Sequence, residues 1–174
     1  MDYPMAYFIT FSCYGTWLHG DEAGSVDRDH NLPGTPLLAA DPSRVAAERR
    51  RMTQPAYALD APRRRVVLQT LEEVCQQRGW DLLAAHVRAR HVHVVVQAPT
   101  APERVMNDFK SYASRNLNRN GFDTPDRKRW ARHGSTRYLW DEKSVQNAVH
   151  YVLYEQGEPM EVYDPNRDRE GAAP

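Results

Sequence analysis

Apolar and polar positions along the chain change period several times, and each change marks an element. Residues 6–12 (AYFITFS) are β-branched and aromatic and read as a strand. Residues 13–58 break that pattern with Gly15, Gly20, Gly24, Gly34, Pro33, Pro36, Pro42 and Pro55. Within them one short helix is expected around 43–52, started by Asp41-Pro42-Ser43. Val66, Val67, Leu71 and Val74 then recur at helical spacing, with Asp60 placed to cap a helix over 60–78 and Gly79 to end it. Residues 80–88 and 91–97 read as two strands joined by a tight connection. Pro102 opens a helix to about 119, with Val105, Met106, Phe109, Tyr112 and Ala113 along one side. A polar, basic loop is expected over 121–134, a short strand over 135–140, and a helix over 142–156 capped by Asp141 and stopped by Gly157.

That order predicts an α+β fold, an antiparallel sheet with helices on one face, nearest to a ferredoxin-like or RNA-recognition-like topology. One domain is expected over 1–157, with a long insertion at about 13–58 of the kind that is often functional. The acidic remainder, 158–174, is expected to fray.

Composition narrows the classes. The 174 residues suffice for one core without staples. Cys13 and Cys75 lack metal-type spacing and are expected as buried thiols. No apolar run approaches the roughly 20 residues that cross a bilayer, and the N-terminus lacks a basic leader, so a cytoplasmic, membrane-free protein is expected. The formal net charge is zero, which argues for no partner, but its distribution is uneven. Residues 101–138 hold nine Lys/Arg against four Asp/Glu, and residues 141–170 hold eight acids against three bases. A positive face is compatible with zero net charge.

His91-Val92-His93 carries the chemistry. On a strand, His91, His93, Val95 and Gln97 share one face, and Val92, Val94 and Val96 form an apolar stripe on the other. Two adjacent neutral imidazoles can bind one divalent cation and leave positions open for a phosphate oxygen. A bare His-x-His pair is a weak signal by itself and is more often two partly exposed sheet histidines with no metal; the valine stripe and the neighbouring residues favour the metal. On the last helix, with Val145 at 0° and about 100° per residue, Tyr151 falls near ~240° and Glu155 near ~280°, one flank of the helix. Gln156 falls near ~20°, on the buried side unless the helix end unwinds.

These residues together resemble the HUH-type one-tyrosine single-strand transposases, those of small insertion sequences and the repeat-associated tyrosine transposases. The resemblance spans YFITF, GWDLLAAHVRARHVHVVVQA, FKSYASRNLN and LWDEKSVQNAVHYVLYEQG, nearly the whole chain. It implies an HUH endonuclease fold with His91 and His93 as ligands of Mg²⁺ or Mn²⁺ and Tyr151 as nucleophile. It also implies a homodimer acting on hairpins of single-stranded DNA, with no nucleotide cofactor. Lys110 matches the family's helix lysine and is implied to assist catalysis. The family's polar third ligand maps onto either Glu155 or Gln156, so both stay open.

Arg63, Arg64, Arg65, Lys110, Arg115, Arg127, Lys128, Arg129 and Arg132 are the expected DNA contacts. Trp17, Trp130, Trp140 and Tyr138 are candidates for stacking on unpaired bases, with Trp80 and Trp140 also readable as core. His19, Asp21 and His30 suggest no defensible second metal site. The sequence leaves three alternatives open: Tyr112 as nucleophile with Asn116 as ligand, a hairpin-binding module that has lost cleavage, and a phosphodiesterase using water.

Overall fold

The computed structural model describes residues 3–16 and 42–170. Trp17, His19, Asp21 and His30 lie outside the described residues. Ten elements follow in order: β1 (Ala6–Cys13), α1 (Pro42–Arg51), α2 (Ala61–Arg78), β2 (Asp81–Val87), β3 (His91–Gln97), α3 (Pro102–Arg119), β4 (Trp130–Leu139), α4 (Glu142–Tyr154), β5 (Glu161–Tyr163) and α5 (Pro165–Glu170). The strands form one sheet in the order β4-β1-β3-β2-β5, and every neighbouring pair is antiparallel. The first four strands with α2 and α3 make the ferredoxin-like arrangement.

Local signals explain the helices. The Asp60 carboxylate accepts from the Arg63 amide, Pro62 sits in the first turn, and Gly79 takes φ 69° to close α2. Cys13 and Cys75 are buried free thiols. The valine stripe behaves as its alternation predicts: Val92, Val94 and Val96 are fully buried with Ile9 and Phe11 in the core closed by α2 and α3. Each such side chain contributes roughly 1.5–3 kcal/mol by leaving water.

The opposite face is covered as well. Ala148, Val152 and Leu153 of α4 pack on Ala6, Ala84, Val95 and Leu139, with Phe8 beside them. The two long helices thus lie on one face as expected, and α4 adds a layer on the other. The odd-numbered residues of β3, the two histidines among them, point to the α4 side, where Val95 and His93 are buried, His91 is half-buried and Gln97 is exposed.

Three boundaries differ from the sequence expectation. The strand expected at 135 begins at Trp130, because that indole packs edge-on against Phe11 and donates to the Lys110 carbonyl and the Ser114 hydroxyl. Residues 53–59 return to the core rather than wander: Tyr57 and Leu59 are buried, and their amides donate to the Tyr14 and Ala89 carbonyls. The tail is not frayed over 158–170. Residues 161–163 pair with β2 and cover its edge, and the Met160 amide donates to His86 Nε2. Its acidic composition masks a strand of three residues.

Candidate active site

The site grows from the strand register. Thr10 lies directly across from His93 and Ser12 from His91, so the polar positions of β1 meet the imidazoles on one face. The two imidazoles stack, with 5.7 Å between ring centroids and 22° between planes. Thr10 Oγ1 lies 2.9 Å from His93 Nδ1, a bond that fixes the ring and leaves Nε2 as the nitrogen with free direction. Burial pushes His93 down to about 3, helped by repulsion from His91, His86 and Arg88. Burial, and then Arg88 and Arg90, push His91 down to about 4. Both rings are therefore neutral near pH 7 and carry lone pairs suited to a metal.

Tyr151 completes the cluster from α4. Its ring stands edge-on to His93, with 6.4 Å between centroids, and edge-on to Phe8 at 5.8 Å. Phe8 lies 6.3 Å from His93, so the three rings form one group. Tyr151 remains 41% exposed, open to a ligand arriving from solvent. The group assembles within one chain.

The end of α4 separates the two third-ligand candidates. The helix stops at Tyr154, and the rotation of 100° per residue no longer holds beyond it. Glu155 turns outward, and its carboxylate meets His150 Nδ1 at 3.0 Å on the exposed side. The shared flank expected for Tyr151 and Glu155 is therefore not formed. Gln156 folds back, its amide donating to the Tyr151 carbonyl at 3.4 Å. Among the described residues no three His, Cys, Asp or Glu side chains gather as a metal cage. The donor set fits a divalent ion as a pair of neutral imidazoles with open positions, not as a closed cage.

A third histidine was missed by sequence reading. His86 is buried across from His93, Nδ1 facing the Val152 carbonyl at 3.3 Å and Nε2 accepting from the Met160 amide. A carbonyl only accepts and an amide only donates, so these partners select the neutral Nδ1–H tautomer. His86 thereby ties α4 and the tail to the sheet. The alternation of β2 contains the signal for it, since His86 shares a face with Ala84 under α4.

The Y1 transposase family model, described as transposase IS200 like, matches residues 51–152, more than half of the chain. The chain belongs to the IS200-like transposase family. The matched span contains His91, His93 and Tyr151 and ends before Glu155 and Gln156. No curated protein matches. Two solved structures are similar. One is a REP-associated tyrosine transposase bound to a REP hairpin, at 12% identity, covering 87% of this chain and 67% of that one with a TM-score of 0.46. The other is a transposase candidate from Deinococcus radiodurans R1, at 14% identity, 86% and 89% coverage and a TM-score of 0.44. No described helix is long and apolar enough to cross a membrane.

The transposase departs from its expected site at Lys110. That ammonium is buried beneath β4, donating to the Ala131 and His133 carbonyls and lying 5.8 Å above the Phe11 ring. Phe11 belongs to the core on the α2–α3 side, so Lys110 serves the sheet edge and does not reach the histidine pair. The reason is the bulge of β4 between its pairings to Phe11 and Cys13, which leaves carbonyls without ladder partners. Tyr112 and Asn116 are on that side too: the Tyr112 ring packs under Arg115, and Asn116 donates to Thr70 of α2. Tyr112 is therefore not brought to the histidines.

Most of the expected DNA contacts are consumed internally. Arg63 bridges Asp60 and Asp123 and covers Phe122. Arg64 donates to the Leu59 carbonyl. Arg127 holds Gln54 and the Pro55 carbonyl, and Lys128 holds Thr53. Arg129 is buried on Asn118 and the Phe122 carbonyl. The basic loop is an internal clamp between the 53–57 segment and α3. Arg65, Arg115 and Arg132 remain exposed. Trp80 is core as expected, whereas Trp140 is exposed and stacks on Tyr138 with rings 5.8 Å apart and 16° between planes.

Proposed function

We propose that this transposase cleaves and rejoins single-stranded DNA through a covalent link to Tyr151, with His91 and His93 holding a Mg²⁺ or Mn²⁺ ion and hairpins marking the target. The observation that carries the reading is the convergence of the Tyr151 ring on His93 within one chain. The ion supplies Lewis-acid stabilisation of charge on the phosphoryl and leaving oxygens.

The chain's own groups account for the rest. Thr10 orients His93, whose ring meets the phenol, and His91 stacks on His93. Tyr151 Oη bonds to phosphorus, the P–O3′ bond breaks, the phenolic proton passes to solvent, and the 3′ oxygen leaves to become a hydroxyl. The 5′-phosphotyrosine keeps the energy of the phosphodiester, so a 3′-OH can reverse the step on another strand without ATP. Arg88 and Arg90 add positive charge beside His91. The exposed Tyr138–Trp140 pair offers a face on which unpaired bases stack.

A second reading has one observation in its favour. The Glu155 carboxylate is engaged by His150, and a site without that carboxylate suits a module that binds hairpins without cutting.

A denaturing gel separates the readings. The protein is incubated with a random pool of hairpin-bearing single strands and Mn²⁺. A covalent protein–DNA species is expected, absent with EDTA and absent in Tyr151→Phe. Tight binding with no adduct selects the module, and cleavage that survives Tyr151→Phe selects a water nucleophile.

A further inference from the structure

Arg137 lies directly across from Phe8 in the β1–β4 ladder, and cross-strand partners share a face. Phe8 is the residue whose ring meets both His93 and Tyr151. One step along the same face, Ser135 lies across from Thr10, the partner of His93. The alternate residues of β4 confirm the orientation: Thr136 donates to Glu103 of α3 and Tyr138 packs edge-on against Tyr7, both on the other side of the sheet. The Arg137 side chain therefore flanks the tyrosine site from the edge strand.

Its chemistry is unbalanced. Arg137 is half-buried, and burial pushes its guanidinium below the ordinary range for arginine. Among the described residues it has no carboxylate and no hydrogen-bond partner, unlike Arg63, Arg127 and Arg129. A partly desolvated cation without an acceptor is costly, and an anion bound beside it offsets that cost. The planar fork of arginine matches two oxygens of one phosphate.

We propose that Arg137 grips the phosphate that Tyr151 attacks, binding its two non-bridging oxygens from the β4 side. The inference rests on the proposed function, because it assigns a residue to that same site. It makes Arg137 a substrate-binding residue that acts most strongly when charge builds on the phosphoryl group.

Two measurements on the full chain test it. The first is binding of a thirty-nucleotide oligothymidine to wild type, Arg137→Gln and Arg137→Lys across a salt series, with circular dichroism confirming the fold. Arg137→Gln is expected to flatten the slope of log K against log salt by about 0.7, the value for one phosphate contact on a single strand, while Arg137→Lys keeps the slope. The second is the single-turnover rate of adduct formation at saturating DNA from the hairpin pool. Arg137→Gln is expected to lower it by roughly 10²–10³-fold, with only partial recovery in Arg137→Lys. A wild-type slope in Arg137→Gln overturns the proposal even if adducts form normally, and so does a reduced slope with an unchanged rate at saturation. If wild type itself forms no adduct, cleavage fails, and phosphate binding by Arg137 stands or falls on the slope.

Discussion

The ring of Tyr151 stands edge-on to the ring of His93, 6.4 Å between centroids and 82° between planes. Tyr151 follows His93 by 58 positions in the chain, and the contact exists because α4 crosses the sheet face opposite α2 and α3. Tyr112 lies on the α2–α3 side, with Asn116 engaged by Thr70. Tyr112→Phe is accordingly expected to keep the covalent DNA species at the wild-type level. Loss of the adduct in Tyr112→Phe and its retention in Tyr151→Phe would reverse the assignment.

Thr10 holds His93 through the 2.9 Å contact at Nδ1. Thr10→Val preserves shape but leaves a buried ring nitrogen without its partner. A loss of about 1–3 kcal/mol is expected in urea denaturation. Mn²⁺ affinity, followed by titration calorimetry, is expected to fall about 10–100-fold. Unchanged stability and unchanged ion affinity would show that the hydroxyl does not orient the ring.

Gly134 sits where a Cβ would lie 2.5 Å from Met106 Sδ and 2.6 Å from the Thr10 carbonyl. The thioether can move, but the carbonyl is backbone of β1. Gly134→Ala is expected to cost about 1–3 kcal/mol by overpacking. Because the displaced residue is Thr10, ion binding should weaken in the same variant. A fully stable Gly134→Ala protein would sink this account of the close approach between β4 and β1.

Burial lowers Lys110 from 10.5 to about 8. Between those values the unfolded chain holds more protons than the folded one, so stability contributed by this group rises with pH. The difference in unfolding free energy between wild type and Lys110→Met is therefore expected to be flat below about pH 8 and to grow in favour of wild type toward pH 10.5. Parallel pH profiles for the two proteins would contradict the desolvation.

Glu155 and Gln156 part company at the end of α4. Glu155→Gln should leave the adduct unaffected, since the carboxylate faces His150. Gln156→Ala should lower it about tenfold or more, because the amide braces the last turn beneath Tyr151 and is the remaining candidate ligand. A gel in which Glu155→Gln alone abolishes the adduct would restore the carboxylate to the site.

Local patterns alone determined the strands and helices that hold the site. Alternation in HVHVVVQ put both imidazoles on one face and three valines on the other, and that is a property of any extended chain. Capping by Asp60, Gly79 and Asp141 set helix limits for the same reason, since these interactions join residues close in sequence. What the sequence did not carry depended on contacts between distant segments. Tertiary structure alone decided that α4 lies on the histidine face, that Lys110 caps a bulge on the other side, and that most of the basic loop is spent on Asp123, Gln54 and Asn118. Charge written along a chain has no direction until the strands are ordered. In sequence Arg137 is one cation of a basic segment, and only the register sets it across from Phe8, with no anion of its own among the described residues.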